Sequence, residues 1–253
     1  FMKNILIIFI LIFSVALSGQ KKRISKKSMV KKAFVSKQLT LKANPDLIKI
    51  NDSVPALIPK KIEGKFGFIN QKGKVLIKPE YSNVGFFAED CNLLNSPNEK
   101  VKIYGSNEYA SVRINGEDFR IDVAGKRVYQ FKDSDLGKCK PEFKTQLFHG
   151  YILGKYYGII EDSKFENAAD YRQFTIYPQY DYLHILEGDD LKNPMIIAIR
   201  DNKFGIIDVN NKTIIPFQYS DIKRNYSWKI ARLFEVTEDG TNYFYIDLNS
   251  RKY

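Results

Sequence analysis

The side chains able to do chemistry are few and scattered. The chain holds two histidines and two cysteines in 253 residues. His149 and His184 stand in no metal-ligand spacing, and neither has a cysteine nearby, so a zinc site is not expected. Asp133-Ser134-Asp135-Leu136-Gly137 opens like a calcium loop. The later ligands of such a loop do not follow, and Lys132, Lys138 and Lys140 flank it. Glu187, Asp189 and Asp190 form the densest acidic group, within a run that reads as a turn. A carboxylate pair for glycoside hydrolysis needs a separation of about 5–9 Å, which the fold sets and spacing does not reveal. No glycine-rich stretch has phosphate-cradling spacing and no nucleophile sits in an elbow motif. Cys91 and Cys139 are either a disulfide, as an oxidising compartment allows, or two isolated thiols. No catalytic residue, metal ligand or cofactor site is assigned.

Charge and ends bound the partners. The chain carries 40 Lys/Arg against 29 Asp/Glu. Ten of the basic residues and no acidic one fall in residues 1–42, which leaves thirty against twenty-nine in the remainder. A body so balanced argues against specific nucleic-acid binding. Lys3 is followed by Ile5–Leu17, apolar at every position but Ser14, and then by Ala16-Leu17-Ser18. This is the pattern of a signal peptide over residues 1–18. The 13-residue run is shorter than the roughly 20 that a spanning helix needs. Export to the periplasm, the outer envelope or the medium is therefore expected. Residues 19–55 read as a basic leader, disordered or partly helical. Its Lys21, Lys22, Arg23, Lys26, Lys27, Lys31 and Lys32 suit weak contact with an anionic surface.

The elements that would position any site are written as repeats. The stretch GKFGFINQKGKVLIKPEY, 64–81, returns as NKFGIIDVNNKTIIPFQY, 202–219. Aligned on Gly67 and Gly205, both copies reach a tyrosine fourteen residues later, Tyr81 and Tyr219. Between them lies a turn opened by Asn70 or Asp208, whose side chain can accept backbone N–H groups two residues on. Gly73 is matched by Asn211, the two residue types that best tolerate positive φ. Asp122 to Lys126, with Gly125, fits the same turn, and Asp247 to Arg251 fits it with Ser250. A further copy passes through Tyr157 and Gly158 and reaches Tyr180 after an insertion near 163–170. The apolar residue before each turn is Ile69, Ile121, Ile160, Ile207 and Ile246, at steps of 52, 39, 47 and 39. Without the eight-residue insertion the 47 becomes 39.

Upstream of each turn lies a tight hairpin signal: Asn115-Gly116, Gly154-Lys155, Asp201-Asn202 and Glu238-Asp239-Gly240. Each unit thus reads strand, turn, strand, turn, strand. The expectation is an all-β domain over 56–253 of about five stacked three-stranded antiparallel meanders. The repeats fall near 56–84, 108–131, 149–183, 195–222 and 230–253. An open curved array is the first expectation and a closed propeller-like ring its alternative. Phe66, Tyr157 and Phe204 precede the repeated glycine, and Phe68, Ile159 and Ile206 follow it. Period-two alternation sets these on one face and Ile69, Ile160 and Ile207 on the other. Apolar residues on both faces predict a cover on both sides, with Gly67, Gly158 and Gly205 admitting a close neighbour.

These two stretches resemble the WG repeat, a bacterial motif of the form Gly-Lys-Trp-Gly-Phe-Ile-Asp, a Gly-Lys turn, then Ile-x-Pro-x-Tyr. The resemblance is strong over 64–81 and 202–221, fair over 154–182 and degenerate over 108–130 and 242–253. Phe66, Tyr157 or Phe204 takes the place of the defining tryptophan, and Trp228 lies outside the motif. The resemblance implies a β-repeat scaffold, often exported or envelope-associated, with no catalytic residues to carry over. The function expected is a non-enzymatic module binding a protein or an envelope glycan. The alternatives are a glycan-active enzyme on the same scaffold and an anionic-surface module acting through the leader.

Overall fold

The computed structural model describes residues 46–87, 108–132, 146–164, 173–186 and 190–253. The signal-peptide segment, the leader up to residue 45, the 133–137 loop, Glu187, Asp189, Cys91 and Cys139 lie outside the described residues.

Among the described residues, five antiparallel sheets succeed one another along the chain. The first holds β1 (Leu57–Ile62), β2 (Lys65–Asn70) and β3 (Val75–Tyr81). The second holds β4 (Asn83–Val84), β5 (Tyr109–Ile114), β6 (Glu117–Asp122) and β7 (Arg127–Gln130). The third holds β8 (Phe148–Leu153), β9 (Tyr156–Glu161) and β10 (Phe174–Tyr180). The fourth holds β11 (Tyr182–Ile185), β12 (Ile196–Arg200), β13 (Lys203–Ile207) and β14 (Thr213–Tyr219). The fifth holds β15 (Asp221–Ile222), β16 (Phe234–Thr237) and β17 (Tyr243–Ile246), and Ile246 bridges Lys252. The stacked meanders expected from the sequence are thus the architecture. One detail differs. The short strand after each repeated tyrosine pairs forward: Asn83 with Arg113, Tyr182 with Ile199 and Asp221 with Thr237. A unit therefore begins just past the repeated tyrosine, and some units gain a fourth strand.

Turn chemistry fixes each register. Asn115 and Gly116 take φ of 51° and 84°, Asp201 and Asn202 52° and 59°, Glu63 and Gly64 48° and 80°. Positive φ at both central residues matches the twist of a two-residue hairpin. In the second turn, Asn70 Oδ1 accepts the N–H groups of Lys72 and Lys74, each at 2.9 Å. Asp122, Asp208 and Asp247 repeat this with their own turns.

The core lies between sheets, and one directional rule builds it. The residue after the repeated glycine faces the following sheet. Phe68 packs against Ala110 and Val112, Ile159 against Ile196 and Ala198, Ile206 against Val236 and Phe244. The next residue faces the preceding sheet. Ile121 joins Phe68, Ile207 joins Ile159 and Ile246 joins Ile206. For Ile69 of the first sheet, the sheet in the preceding position is the fifth. Ile69 and Ile58 pack with Ala231, Leu233 and Tyr253, and Tyr245 leans on the same cluster. Both faces of the first sheet are therefore buried, as the apolar pattern predicts. The strands do not run on into a barrel, since the sheets are separately bonded. The contact between the first and fifth sheets is the one that the propeller-like alternative requires.

Two local features escaped the sequence reading. A short helix, α1 (Ser227–Ala231), stacks Trp228 on Phe234 with ring centroids 4.7 Å apart. A 3-10 turn covers Asp162–Lys164. In addition, residues 46–55, placed in the leader, pack onto the sheets, with Val54 buried among Ile58, Ile69 and Leu233. No helix among the described residues is long and apolar enough to cross a membrane.

Candidate functional site

The repeated residues are held in packing. Phe66 lies opposite Tyr81, Tyr157 next to Tyr180 and Phe204 opposite Tyr219 across the β2–β3, β9–β10 and β13–β14 pairs. The three tyrosines are buried; the other three rings are half-buried against the cores between sheets. A Cβ on Gly67 would stand 2.4 Å from the Ile77 carbonyl oxygen, and one on Gly158 2.6 Å from that of Ile176. One on Gly205 would meet the Ile215 carbonyl oxygen at 2.8 Å. The third strand bulges here, at Pro79 and Pro178 in the first and third units and at Phe217 in the fourth, and only a glycine lets it approach. Phe119 and Phe244 take the glycine position in the second and fifth units, where among the described residues no bulged strand ending in the repeated tyrosine passes.

Turn residues link neighbouring units. Gly73, Gly125 and Asn211 take φ of 83°, 78° and 63°. Gly125 sits against the Ile77 side chain of the first unit. Tyr180 donates its hydroxyl proton to Asn211 Oδ1 at 2.6 Å, joining the third unit to the fourth turn. Burial pushes Tyr81 up to about 12, with Glu80 acting in the same direction.

The junction of the first and fifth sheets is different. Gln71 replaces the apolar residue that follows the turn-opening residue in other units (Val123, Val209, Leu248). Its buried amide pins residues 50–55: Oε1 accepts from the N–H of Ile50 at 2.6 Å and of Asn51 at 2.8 Å. Its Nε2 donates to the carbonyls of Asn51 and Val54 at 2.9 and 2.8 Å. Asn51 in turn donates to Asp247 Oδ2, which also accepts from the Tyr253 hydroxyl. Burial first and Asp247 second push Tyr253 up to about 12.

Beside this polar clasp opens a cleft of about 250 Å³, lined among others by Lys60, Lys72, Gly73, Arg251 and Lys252. Lys60 Nζ donates to the Tyr253 carbonyl at 3.0 Å, and Arg251 reaches the Gln71 carbonyl at 3.4 Å. Burial lowers the Lys60 pKa, and the Lys252 charge lowers it further. The lining contains no Asp or Glu. Sequence reasoning missed these cations because they sit at opposite ends of the folded unit and meet only through the contact between its first and fifth sheets.

Several described carboxylates are engaged elsewhere. Pairing places Asp221 opposite Thr237, so Glu235 lies two residues along on the same face. Asp221 Oδ2 accepts from Tyr243 at 2.6 Å, and Glu235 Oε2 from Asn225 at 2.6 Å. Burial raises the Glu235 pKa. Asp190 caps its own loop, accepting the N–H groups of Lys192 and Asn193. His149 meets Asp162 at 2.5 Å on the surface. Among the described residues no His, Cys, Asp or Glu group is arranged to hold a metal ion.

Fold and repeat chemistry together define a β-repeat protein of separately bonded, stacked meanders. The family model of the WG containing repeat matches residues 66–91 and 204–228, so two stretches of the chain are similar to WG repeats. Both matched stretches run past Tyr81 and Tyr219 into the next unit. No curated protein matches the chain. Six chains of solved structures match it. One is a crystal structure of the eukaryotic initiation factor, 11% identical over 78% of this chain, with a TM-score of 0.27. The chain spans 51%, about half, of the length of that protein.

Proposed function

We propose that this chain is an exported, non-enzymatic scaffold of the bacterial cell envelope that binds a protein or glycan partner. The observation that carries the reading is the use made of the repeated residues. The glycines admit a neighbouring strand, the aromatics pack, and the Asx residues close turns. What differs between units is left to recognise a partner, and one such difference is the cleft between the first and fifth sheets. The hydrophobic N-terminal run followed by small residues supports export, and the leader cations support contact with an anionic surface.

Two measurements test this. Cell fractionation of the full chain should place it outside the cytoplasm; a cytoplasmic protein with an intact N-terminus sinks the export reading. Purified full chain should co-sediment with isolated envelope polymer from the producing cells, or retain an envelope protein. If neither polymer nor protein is retained, the scaffold reading falls.

A further inference from the structure

The cleft at the junction of the first and fifth sheets gathers positive charge that no carboxylate of its lining balances. Lys60 and Lys252 approach from β1 and from the bridge that follows β17. Arg251 leans over Tyr253, Lys252 Nζ lies 3.5 Å over the Phe244 ring, and Lys72 belongs to the Asx turn of the first unit. The ion pairs of the described residues go elsewhere. Asp46 takes Lys74 at 2.7 Å. Asp247, the carboxylate nearest by sequence, has Oδ1 filled by two turn N–H groups and Oδ2 by Asn51 and Tyr253. Partial burial of Lys60 beside a second ammonium disfavours its charge, an unfavourable arrangement that a bound anion reverses. Gly73 leaves the wall open, with nothing within 4 Å of where a Cβ would stand.

From this geometry we infer that the cleft is a binding site for a phosphate group, the phosphodiester of an envelope polyol or sugar chain. Lysine ammonium groups and a guanidinium in one lining match a group with several charged oxygens better than a lone carboxylate. The volume of about 250 Å³ admits one phosphate with part of one sugar or polyol unit. The inference rests on the scaffold reading for its biological ligand, though the anion chemistry stands apart from it.

The test uses the full chain and two charge variants. The cleft variant carries Lys60→Met, Arg251→Gln and Lys252→Gln. The leader variant replaces Lys21, Lys22, Arg23, Lys26, Lys27, Lys31 and Lys32 by Gln. Calorimetric titration is run with inorganic phosphate, with a glycerol-phosphate oligomer and with an oligogalacturonate. The phosphate probes should bind the parent and the leader variant alike and bind the cleft variant at least tenfold more weakly. Because the triple change touches packed residues, Lys72→Glu, on the exposed rim, is measured beside it and should weaken phosphate binding severalfold without lowering the melting temperature. Equal phosphate binding by parent, cleft variant and Lys72→Glu overturns the site. Loss of binding only in the leader variant, or tighter binding of the galacturonate, overturns it as well. Envelope retention that survives in the cleft variant, beside lost phosphate binding, refutes this ligand for the scaffold while leaving the scaffold reading standing. Phosphate binding without any envelope retention has the opposite meaning.

Discussion

Ile69→Ala separates an array whose ends meet from one whose ends are free. Ile69 is 3% exposed and Ile207 is fully buried, yet they owe their burial to different neighbours. Ile207 faces the third sheet, next to its own along the chain, whereas Ile69 is covered by Ala231, Leu233 and Tyr253, more than 160 residues away in sequence. Truncation to alanine removes three carbons, about 2.4 kcal/mol at roughly 0.8 kcal/mol per buried methylene. The cavity left behind brings such changes into the range of about 2–5 kcal/mol. For a folded unit of this size, 1 kcal/mol moves the melting temperature by about 2–4 °C. A loss of about 3 kcal/mol therefore lowers Tm by about 6–12 °C. Calorimetry of Ile69→Ala and Ile207→Ala should show similar drops. If Ile207→Ala falls as expected and Ile69→Ala stays within about 1 °C of the parent, the first sheet has an uncovered face and the end-to-end contact is wrong.

Three further changes probe other links. Gly67→Ala forces a methyl to within 2.4 Å of a carbonyl oxygen and should lose about 1–3 kcal/mol or more in urea unfolding. Gly73→Ala, at φ 83° but in open space, should lose about 1–2 kcal/mol; a smaller loss at Gly67 than at Gly73 would refute the close-approach argument. Gln71→Ala strips partners from buried backbone groups of residues 50–54 and should lose about 1–3 kcal/mol, with faster proteolysis before residue 55 as its signature; unchanged stability and cleavage would show the clasp to be idle. Glu235 is held above its ordinary value near 4.5 chiefly by burial, so its contribution is fully present below that value and is lost as pH rises through the raised one. Glu235→Gln should match the parent near pH 4 and gain stability over it as pH climbs; a difference constant from pH 4 to 8 would remove burial as the cause.

Much of this fold was legible because its turns are chemically demanding. An Asx side chain must accept two N–H groups, and the residue three places on must take positive φ. Asn70/Gly73, Asp122/Gly125, Asp208/Asn211 and Asp247/Ser250 therefore announce themselves at short range. Alternation around Ile69 and Phe68 likewise shows that both strand faces are buried. What covers each face is a long-range fact, and no local pattern states it. The forward pairing of the strand after the repeated tyrosine was hidden for a similar reason: Asn83-Val84 and Asp221-Ile222 are two residues long and carry no period. Helix α1 was missed because five residues show no helical repeat, and Trp228 is fixed by its stacking on Phe234. The cleft cations were unreadable for the same cause as the closure itself.

The units diverge where their neighbours must be told apart. Five units built to one packing rule would accept one another in any order, and order has to be written into the interfaces. At the position facing the following sheet, four units carry Phe68, Ile159, Ile206 and Tyr245, and the second carries Arg120. That arginine is 2% exposed and lies over the Tyr109 ring at 5.3 Å. A buried guanidinium is tolerated only where partners satisfy it, so an apolar face from another unit would be rejected there. Gln71 does the same from the other side of the array. Its amide fits the backbone of residues 50–55 and would be stranded beside a sheet lacking that segment. The repeat supplies cohesion through residues that are alike, while the single polar departures set which sheet meets which. Among the described residues Gln71 thereby sets the junction between the first and fifth sheets apart, and the cleft opens beside that departure.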